Sequence, residues 1–278
     1  MDMHCPSFSK VNIGLKVLSQ RDDGYHNIYT VFQELDFGDS ITIEKTDTGC
    51  TISSNVGWVP TDESNICHKA YKALKTKYPE LGGVSIHIEK NVPVGSGLGG
   101  GSANGAAVLN RINELYGLGL AQNELEKIGV GNGADVPFFI KGGTQLGEGI
   151  GDKLTPLSNP IKGTYLLVIP DVSISTAWAY LGVKNKLNSD NNIPNFAGFF
   201  SGVNSSLEIF ENDFERIVIP AYPEIGAIKR KLLELGAQFA SLSGSGSTVY
   251  GIFNEDASAK EAELFFRPAH QTILANPT

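Results

Sequence analysis

The densest glycine cluster of the chain is Pro93-Val94-Gly95-Ser96-Gly97-Leu98-Gly99-Gly100-Gly101-Ser102. Glycine admits positive φ and lets backbone N–H groups come close to a ligand. Before the cluster, Val84, Ile86 and Ile88 alternate with polar residues, which predicts a strand with one buried face. After it, residues 103–116 carry Ala106, Leu109 and Ile112 at helical spacing, and Gly117 stands just past the end. The order is strand, glycine loop, helix. A helix start presents unbonded N–H groups and a partial positive charge, so this order makes an anion site. The commonest anion at such a site is a phosphate.

Three ligand readings compete with a plain glycine turn. Gly95, Gly97 and Gly100 satisfy G-x-G-x-x-G, but no strand ending in an acidic residue follows about 20 positions on, as a dinucleotide fold requires. A P-loop needs a Lys after the glycines, and none is there. The third reading is a nucleotide-phosphate loop of another kind.

Other residues suit chemistry at such a site. In residues 8–17, Val11, Ile13, Leu15 and Val17 point one way, and Lys10, Asn12, Gly14 and Lys16 the other. Lys10 and Asn12 therefore share one strand face, either solvated or facing a reaction. Arg21-Asp22-Asp23-Gly24-Tyr25-His26 contains an Asp-Gly turn signal. Adjacent on that turn, Tyr25 and His26 read either as mere surface or as a ring and an imidazole available to a ligand. In Gly133-Ala134-Asp135-Val136-Pro137, Asp135 reads equally as a turn or cap residue and as an acid–base group.

As it stands from Pro93 to Ser102, Pro-x-x-x-Gly-Leu-Gly-Gly-Gly-Ser resembles the phosphate loop of the GHMP small-molecule kinases. The resemblance runs along nearly the whole chain. Ser9-Lys10-Val11-Asn12 is similar to the family's first motif, Gly133 through Phe139 to its Gly-x-Asp-Val-Pro-Phe-Phe run, and Ser241 through Ser247 to its third motif. Asp23-Gly24-Tyr25-His26 resembles the branch whose acceptor carries a cytidine diphosphate. The resemblance implies phosphoryl transfer from ATP with Mg2+. It implies that Pro93, Gly95, Gly97, Leu98, Gly99, Gly100, Gly101 and Ser102 bind the ATP phosphates, with Asn65 near the adenine. Asp135 would accept the hydroxyl proton or orient the hydroxyl; Lys10 would hold Asp135 ionised and stabilise the transferring group. Asn12, Tyr25, His26 and Tyr180 would contact the substrate, although Tyr180 reads equally as helix-face packing and Asn65 as a helix N-terminal residue. No metal ligand is identified. Ala103 stands where the family usually has Ser, Asn132 where it has an apolar residue, and Asp171 where it has Gly.

The elements that must position these residues predict an α+β fold of two domains with the site in the cleft between them. The turn-rich joint Gly147-Glu148-Gly149-Ile150-Gly151-Asp152 suggests an ATP-binding domain over 1–152 and a substrate-side domain over 153–278. In the first, residues 28–35 and 40–44 read as strands around a turn at Asp36-Phe37-Gly38-Asp39, and a helix runs over 65–75. In the second, a strand over 165–169, a helix from Ile225 to Leu235, strands over 238–241 and 248–253, a helix over 257–265 and a short tail give a ferredoxin-like unit. Residues 188–206 carry no functional reading.

Composition narrows the class. A length of 278 residues suffices for two modest domains. A net charge of -8 argues against a general nucleic-acid or membrane-surface binder. No apolar run approaches the length of a membrane helix, no signal-peptide core is seen, and three cysteines without metal-ligand spacing read as reduced thiols, so the expectation is a cytoplasmic protein, monomeric or homodimeric. The rival readings are a homoserine or mevalonate type of the same family, a nicotinamide-dependent oxidoreductase and a non-enzymatic nucleotide sensor.

Overall fold

The structure, a computed structural model, describes residues 3–184, 193–203 and 206–278. The described residues fall into two compact units that interleave in sequence. The first comprises Met1–Ser9, Gly38–Val94 and Gly99–Gly142; the second comprises Lys10–Phe37, Gly95–Leu98 and Gly143–Thr278. These boundaries differ from a single cut after Asp152. They arise because strands β1 (Met3–Gln20) and β2 (His26–Thr46) each contribute to both units.

In the first unit, β4 (Gly83–Glu89) lies between β2 and β3 (Cys50–Ser54). Ile86 pairs antiparallel with Ile43 and parallel with Ile52, and all three are buried, as the apolar alternation predicts. The helices are α1 (Ile66–Lys77), α2 (Gly100–Leu115), α3 (Gln122–Val130) and α4 (Val136–Lys141). Asp36-Phe37-Gly38-Asp39 is not a turn: β2 runs straight through it. Gly38 makes this possible. A Cβ there would lie 2.1 Å from the backbone oxygen of Ser7, so only glycine lets the two backbones pass.

In the second unit, β2 pairs with β5 (Thr144–Glu148), and β5 with β6 (Lys153–Pro156). The same unit holds a four-stranded antiparallel sheet of β7 (Thr164–Ile169), β8 (Phe239–Leu242), β9 (Val249–Phe253) and β10 (Gln271–Ala275), in the order β10-β7-β9-β8. Helices α5 (Thr176–Lys184), α6 (Phe196–Phe200) and α7 (Glu215–Ala221) precede α8 (Pro223–Glu234), which joins β7 to β8; α9 (Asp256–Phe266) joins β9 to β10. Leaving aside α5–α7, the order β-α-β-β-α-β with the last strand beside the first is ferredoxin-like. The expected short tail is thus strand β10, paired with β7 from Gln271↔Ile169 to Ala275↔Tyr165. Of the unassigned stretch 188–206, residues 196–200 are helical and Phe196 is buried; 188–192 and 204–205 lie outside the described residues.

The second unit is stitched together over long sequence distances. Leu15 and Val17 pack in one core with Leu166, Val168, Leu232 and Phe253. Leu15 forms a bridge with Asn212, and the Val17 N–H donates to Asp213 Oδ2 at 2.9 Å. Among the described residues no helix is long and apolar enough to cross a membrane. The three cysteines form no disulfide; burial raises the pKa of all three, Cys50 to about 11, so the thiols stay protonated at neutral pH.

Gly38→Ala is expected to destabilise the chain by about 1–3 kcal/mol or to prevent folding. Gly57→Ala, where an added methyl meets nothing within 4 Å, should stay within about 0.5 kcal/mol of the parent. Urea unfolding of the two variants compares them directly, and equal stabilities would contradict the close backbone passage at Gly38.

Candidate active site

In the second unit, Lys10 and Asn12 do share one face of β1, and that face is covered rather than solvated: Lys10 is only 4% exposed and Asn12 2%. Burying an ammonium is unfavourable unless its donors are used. Lys10 Nζ donates to Asn12 Oδ1 at 2.6 Å and to the Gly97 carbonyl at 3.1 Å, and lies 5.6 Å from the centre of the Phe32 ring. Asn12 Nδ2 donates to Thr30 Oγ1 at 3.0 Å, which fixes the amide with its oxygen toward Lys10. Tyr250 donates its hydroxyl to the Asn12 carbonyl at 2.9 Å.

The tip of the glycine loop is held within the same unit. Gly97 O accepts from Ser243 Oγ at 2.9 Å as well as from Lys10, and Ser96 O accepts from the Thr248 N–H at 3.1 Å. The Lys10 N–H donates to the Leu98 carbonyl at 2.9 Å. The second glycine-serine loop therefore braces the first. Asn212 in turn steadies the second loop, its Nδ2 donating to the carbonyls of Leu242 and Gly244. The two carbonyls that its Nδ2 holds lie about thirty residues away in sequence, so no local spacing marks this role of Asn212.

The first unit carries the end of the loop and the head of α2. The glycines there serve different ends. Gly95, Gly97 and Gly99 have φ of 68°, 80° and 72°, where side-chain residues are strained. At Gly100 the constraint is packing, since a Cβ would lie 2.9 Å from Val92. At Gly101 an added Cβ meets nothing within 4 Å, so this residue leaves open the approach to the helix start. Ser102 follows in the first turn of α2, and a methyl at Gly133 would stand 3.7 Å from its Oγ. The segment bearing Asp135 thus runs beside the start of α2. Asp135 occupies the position before α4 but makes no capping bond with its side chain, which is half-buried.

Asn65, expected near the adenine or as a helix N-terminal residue, shows the second of these. Its Oδ1 accepts from the Cys67 N–H at 2.8 Å and its Nδ2 donates to the Pro60 carbonyl at 2.6 Å, so it caps α1. Ala103 is buried within α2, and Asn132 Nδ2 donates to the Ile128 carbonyl at 3.2 Å, a bond that an apolar residue there could not make.

Two of the three residues expected to face a base, His26 and Tyr180, meet within the second unit. The His26 and Tyr180 rings stack with centroids 5.1 Å apart and planes 22° apart. Phe214 supports Tyr180 edge-on at 4.9 Å. Tyr25 is 57% exposed at the tip of a turn in which Asp23 Oδ1 accepts the Tyr25 N–H at 3.1 Å. The hydrogen bond from Arg21 holds the Asp23 carboxyl below the usual carboxylate range, so the turn stays bonded through neutral pH.

Comparison with known proteins agrees with these features. Residues 65–143 match the family described as GHMP kinases N terminal domain, and residues 195–270 match GHMP kinases C terminal. The chain is 42% identical over 272 residues to a 4-diphosphocytidyl-2-C-methyl-D-erythritol kinase of Geobacter sulfurreducens, covering 95% of this chain and 97% of that one. It is 39% identical over 277 residues to the protein of the same name from Chloroherpeton thalassium, covering 96% and 95%. A crystal structure of a 4-(cytidine 5'-diphospho)-2C-methyl-D-erythritol kinase superposes with a TM-score of 0.84 over 99% of both chains at 27% identity. A homoserine kinase from Cytophaga hutchinsonii, 20% identical over 98% of this chain and 94% of its own, shares the fold with a TM-score of 0.74.

Gly101→Val tests whether the loop binds phosphate without disturbing the protein, since the site is open and Val is no worse a helix former than Gly. The expected outcome is ATP affinity weakened about 10-fold or more, with the melting temperature unchanged. Unchanged affinity in calorimetry would mean that the nucleotide sits elsewhere.

Proposed function

Since the chain belongs to the 4-diphosphocytidyl-2-C-methyl-D-erythritol kinases of the GHMP family, we propose that it transfers the γ-phosphoryl group of ATP to the 2-hydroxyl of 4-diphosphocytidyl-2-C-methyl-D-erythritol, a step of non-mevalonate isoprenoid synthesis. The observation that carries the choice of acceptor is the meeting of His26 and Tyr180 in one stacked pair, with Tyr25, the residue before His26, exposed. A nucleobase offers a π-face and a polar edge, and these side chains complement both.

Phosphoryl transfer demands positioning and charge stabilisation more than covalent chemistry from the protein. The acceptor oxygen bonds to the γ-phosphorus, the bond to the β,γ-bridging oxygen breaks, and ADP leaves with that electron pair. The hydroxyl proton passes to Asp135. Asp135 is half-buried just before α4, and a carboxylate is the kind of group that accepts such a proton. Lys10 serves twice: its charge faces the developing charge of the transferring group, and its bond to Gly97 O fixes the loop. Asn12 aligns Lys10 and supports the acceptor. The N–H groups from Gly95 to Ser102 hold the ATP phosphates. Asn65 keeps its role as a helix cap.

Mg2+ accompanies ATP in this proposal. No group of three or more His, Cys, Asp or Glu that could hold a metal occurs among the described residues. Mg2+ is commonly carried chiefly by substrate phosphates, and Ser102 is the hydroxyl that would complete its shell. When bound, it would neutralise phosphate charge.

Two variants test the roles. Asp135→Asn should keep ATP affinity and lower kcat by about 10²–10⁴; turnover within a few-fold of the parent would remove Asp135 from the chemistry. Tyr25→Ala should raise the Kd of the cytidine acceptor by roughly 5- to 150-fold without altering that of ATP. Loss of ATP affinity instead, in paired titrations, would place Tyr25 in the donor site.

A further inference from the structure

The glycine loop has two feet, Asn91-Val92 before Pro93 and the first turns of α2 after Gly99, and both belong to the first unit. One side chain touches both. Asp39, whose side chain is 0% exposed, points from β2 into the interior. Its Oδ1 accepts the N–H groups of Asn91 and Val92, each at 2.7 Å. Its Oδ2 accepts Lys90 Nζ at 2.5 Å and Asn104 Nδ2 at 2.9 Å. Ser7 Oγ donates to Asn104 Oδ1 at 2.7 Å, so the Asn104 amide is oriented with its N–H groups toward Asp39.

A buried carboxylate is tolerated when both oxygens are saturated by donors. The placement of these donors is the informative part. None lies within β4, the strand that pairs with β2 next to Asp39 in this unit. Lys90, Asn91 and Val92 follow the last residue of β4, and Asn104 lies on α2. The bonds therefore do not staple the sheet; they tie the leading foot of the loop to the trailing one. Gly100, with no side chain, packs against Val92 and brings the feet close.

We infer that Asp39 is a positioning residue for phosphoryl transfer: its carboxylate sets the separation of the two feet of the glycine loop and so the aim of the N–H groups that receive the ATP phosphates. The inference rests on the reading that ATP binds this loop. Binding through backbone N–H groups leaves their geometry to the loop's anchors, and small displacements weaken it.

The experiment starts with calorimetric titration of the parent chain with a non-hydrolysable ATP analogue. Absence of binding would remove the ATP reading, and this inference with it. With binding established, three variants are compared below their melting temperatures: Asp39→Asn, Asn104→Ala and Asn110→Ala. The last is a stability control on the same helix, because Asn110 Nδ2 donates to the Ile140 carbonyl at 3.1 Å, away from the loop. Asp39→Asn and Asn104→Ala should raise the analogue Kd and the KM for ATP by about 5-fold or more, while the KM for the acceptor stays within about two-fold. Asn110→Ala should lower the melting temperature and leave both KM values within about two-fold. If the Asp39 and Asn104 variants lose stability without a selective rise in KM for ATP, Asp39 is structural only. If Asn110→Ala raises the KM for ATP equally, the response tracks stability and the inference fails. Should Asp39→Asn not fold, Asn104→Ala, which loses the helix-side bond to Asp39 and the one from Ser7, decides by the same criterion.

Discussion

A loop rich in glycine has almost no side chains with which to hold its own shape. Ordering each glycine also removes more backbone freedom than ordering any other residue. A loop that binds an anion through N–H groups therefore depends on bonds supplied from elsewhere, and much of this structure follows from that constraint. At the tip, the single carbonyl of Gly97 receives both the Lys10 ammonium and the Ser243 hydroxyl. At the feet, Asp39 receives four donors. Neither Lys10 nor Asp39 could be buried without such partners, so the charges and the loop stabilise each other.

The same economy appears at the aromatic group. His26 begins β2, immediately after a turn closed by Asp23, and Tyr180 comes from α5 in the later part of the sequence. Their stacking depends on the second unit drawing early and late segments into one body. Phe214 backs Tyr180, and the N–H of Phe214 donates to Asn212 Oδ1 at 3.0 Å. Asn212 also holds the second glycine-serine loop. One amide thus links the support of the aromatic pair to the brace of the phosphate loop.

What the sequence made legible was local or carried by a motif. Strand, glycine loop and helix are readable around residues 93–102 because period-2 and helical spacing flank the glycines. The family is readable because Lys10, the loop and Asp135 stand in recognisable surroundings. The rest failed for physical reasons. Asp36-Phe37-Gly38-Asp39 has the composition of a turn, yet the glycine serves the passage of Ser7 and the aspartate serves partners 51 to 65 residues away. Asn65 has the side chain of a helix cap, but only its bonds to Cys67 and Pro60 show that it is one. Strand β10 is short and half-buried, so Gln271-Thr272-Ile273-Leu274-Ala275 lacks a clear alternation; β7 supplies its order. The interleaving of the two units follows from long strands crossing a boundary that no residue pattern marks.

The bond between Val17 and Asp213 spans 196 positions, and this has a consequence for how the protein is made. A ribosome adds about 5–20 residues per second, so the second half of β1 emerges roughly 10–40 seconds before the segment it pairs with. During that interval Leu15 and Val17 lack most of the core that later encloses them. Topologies dominated by such distant contacts fold slowly, because a long loop must close before any contact compensates for the lost entropy. The strand that carries Lys10 and Asn12 is thus a segment for chaperones to shield, and heat or crowded expression should reveal itself first as aggregation of nascent chains rather than as loss of finished enzyme.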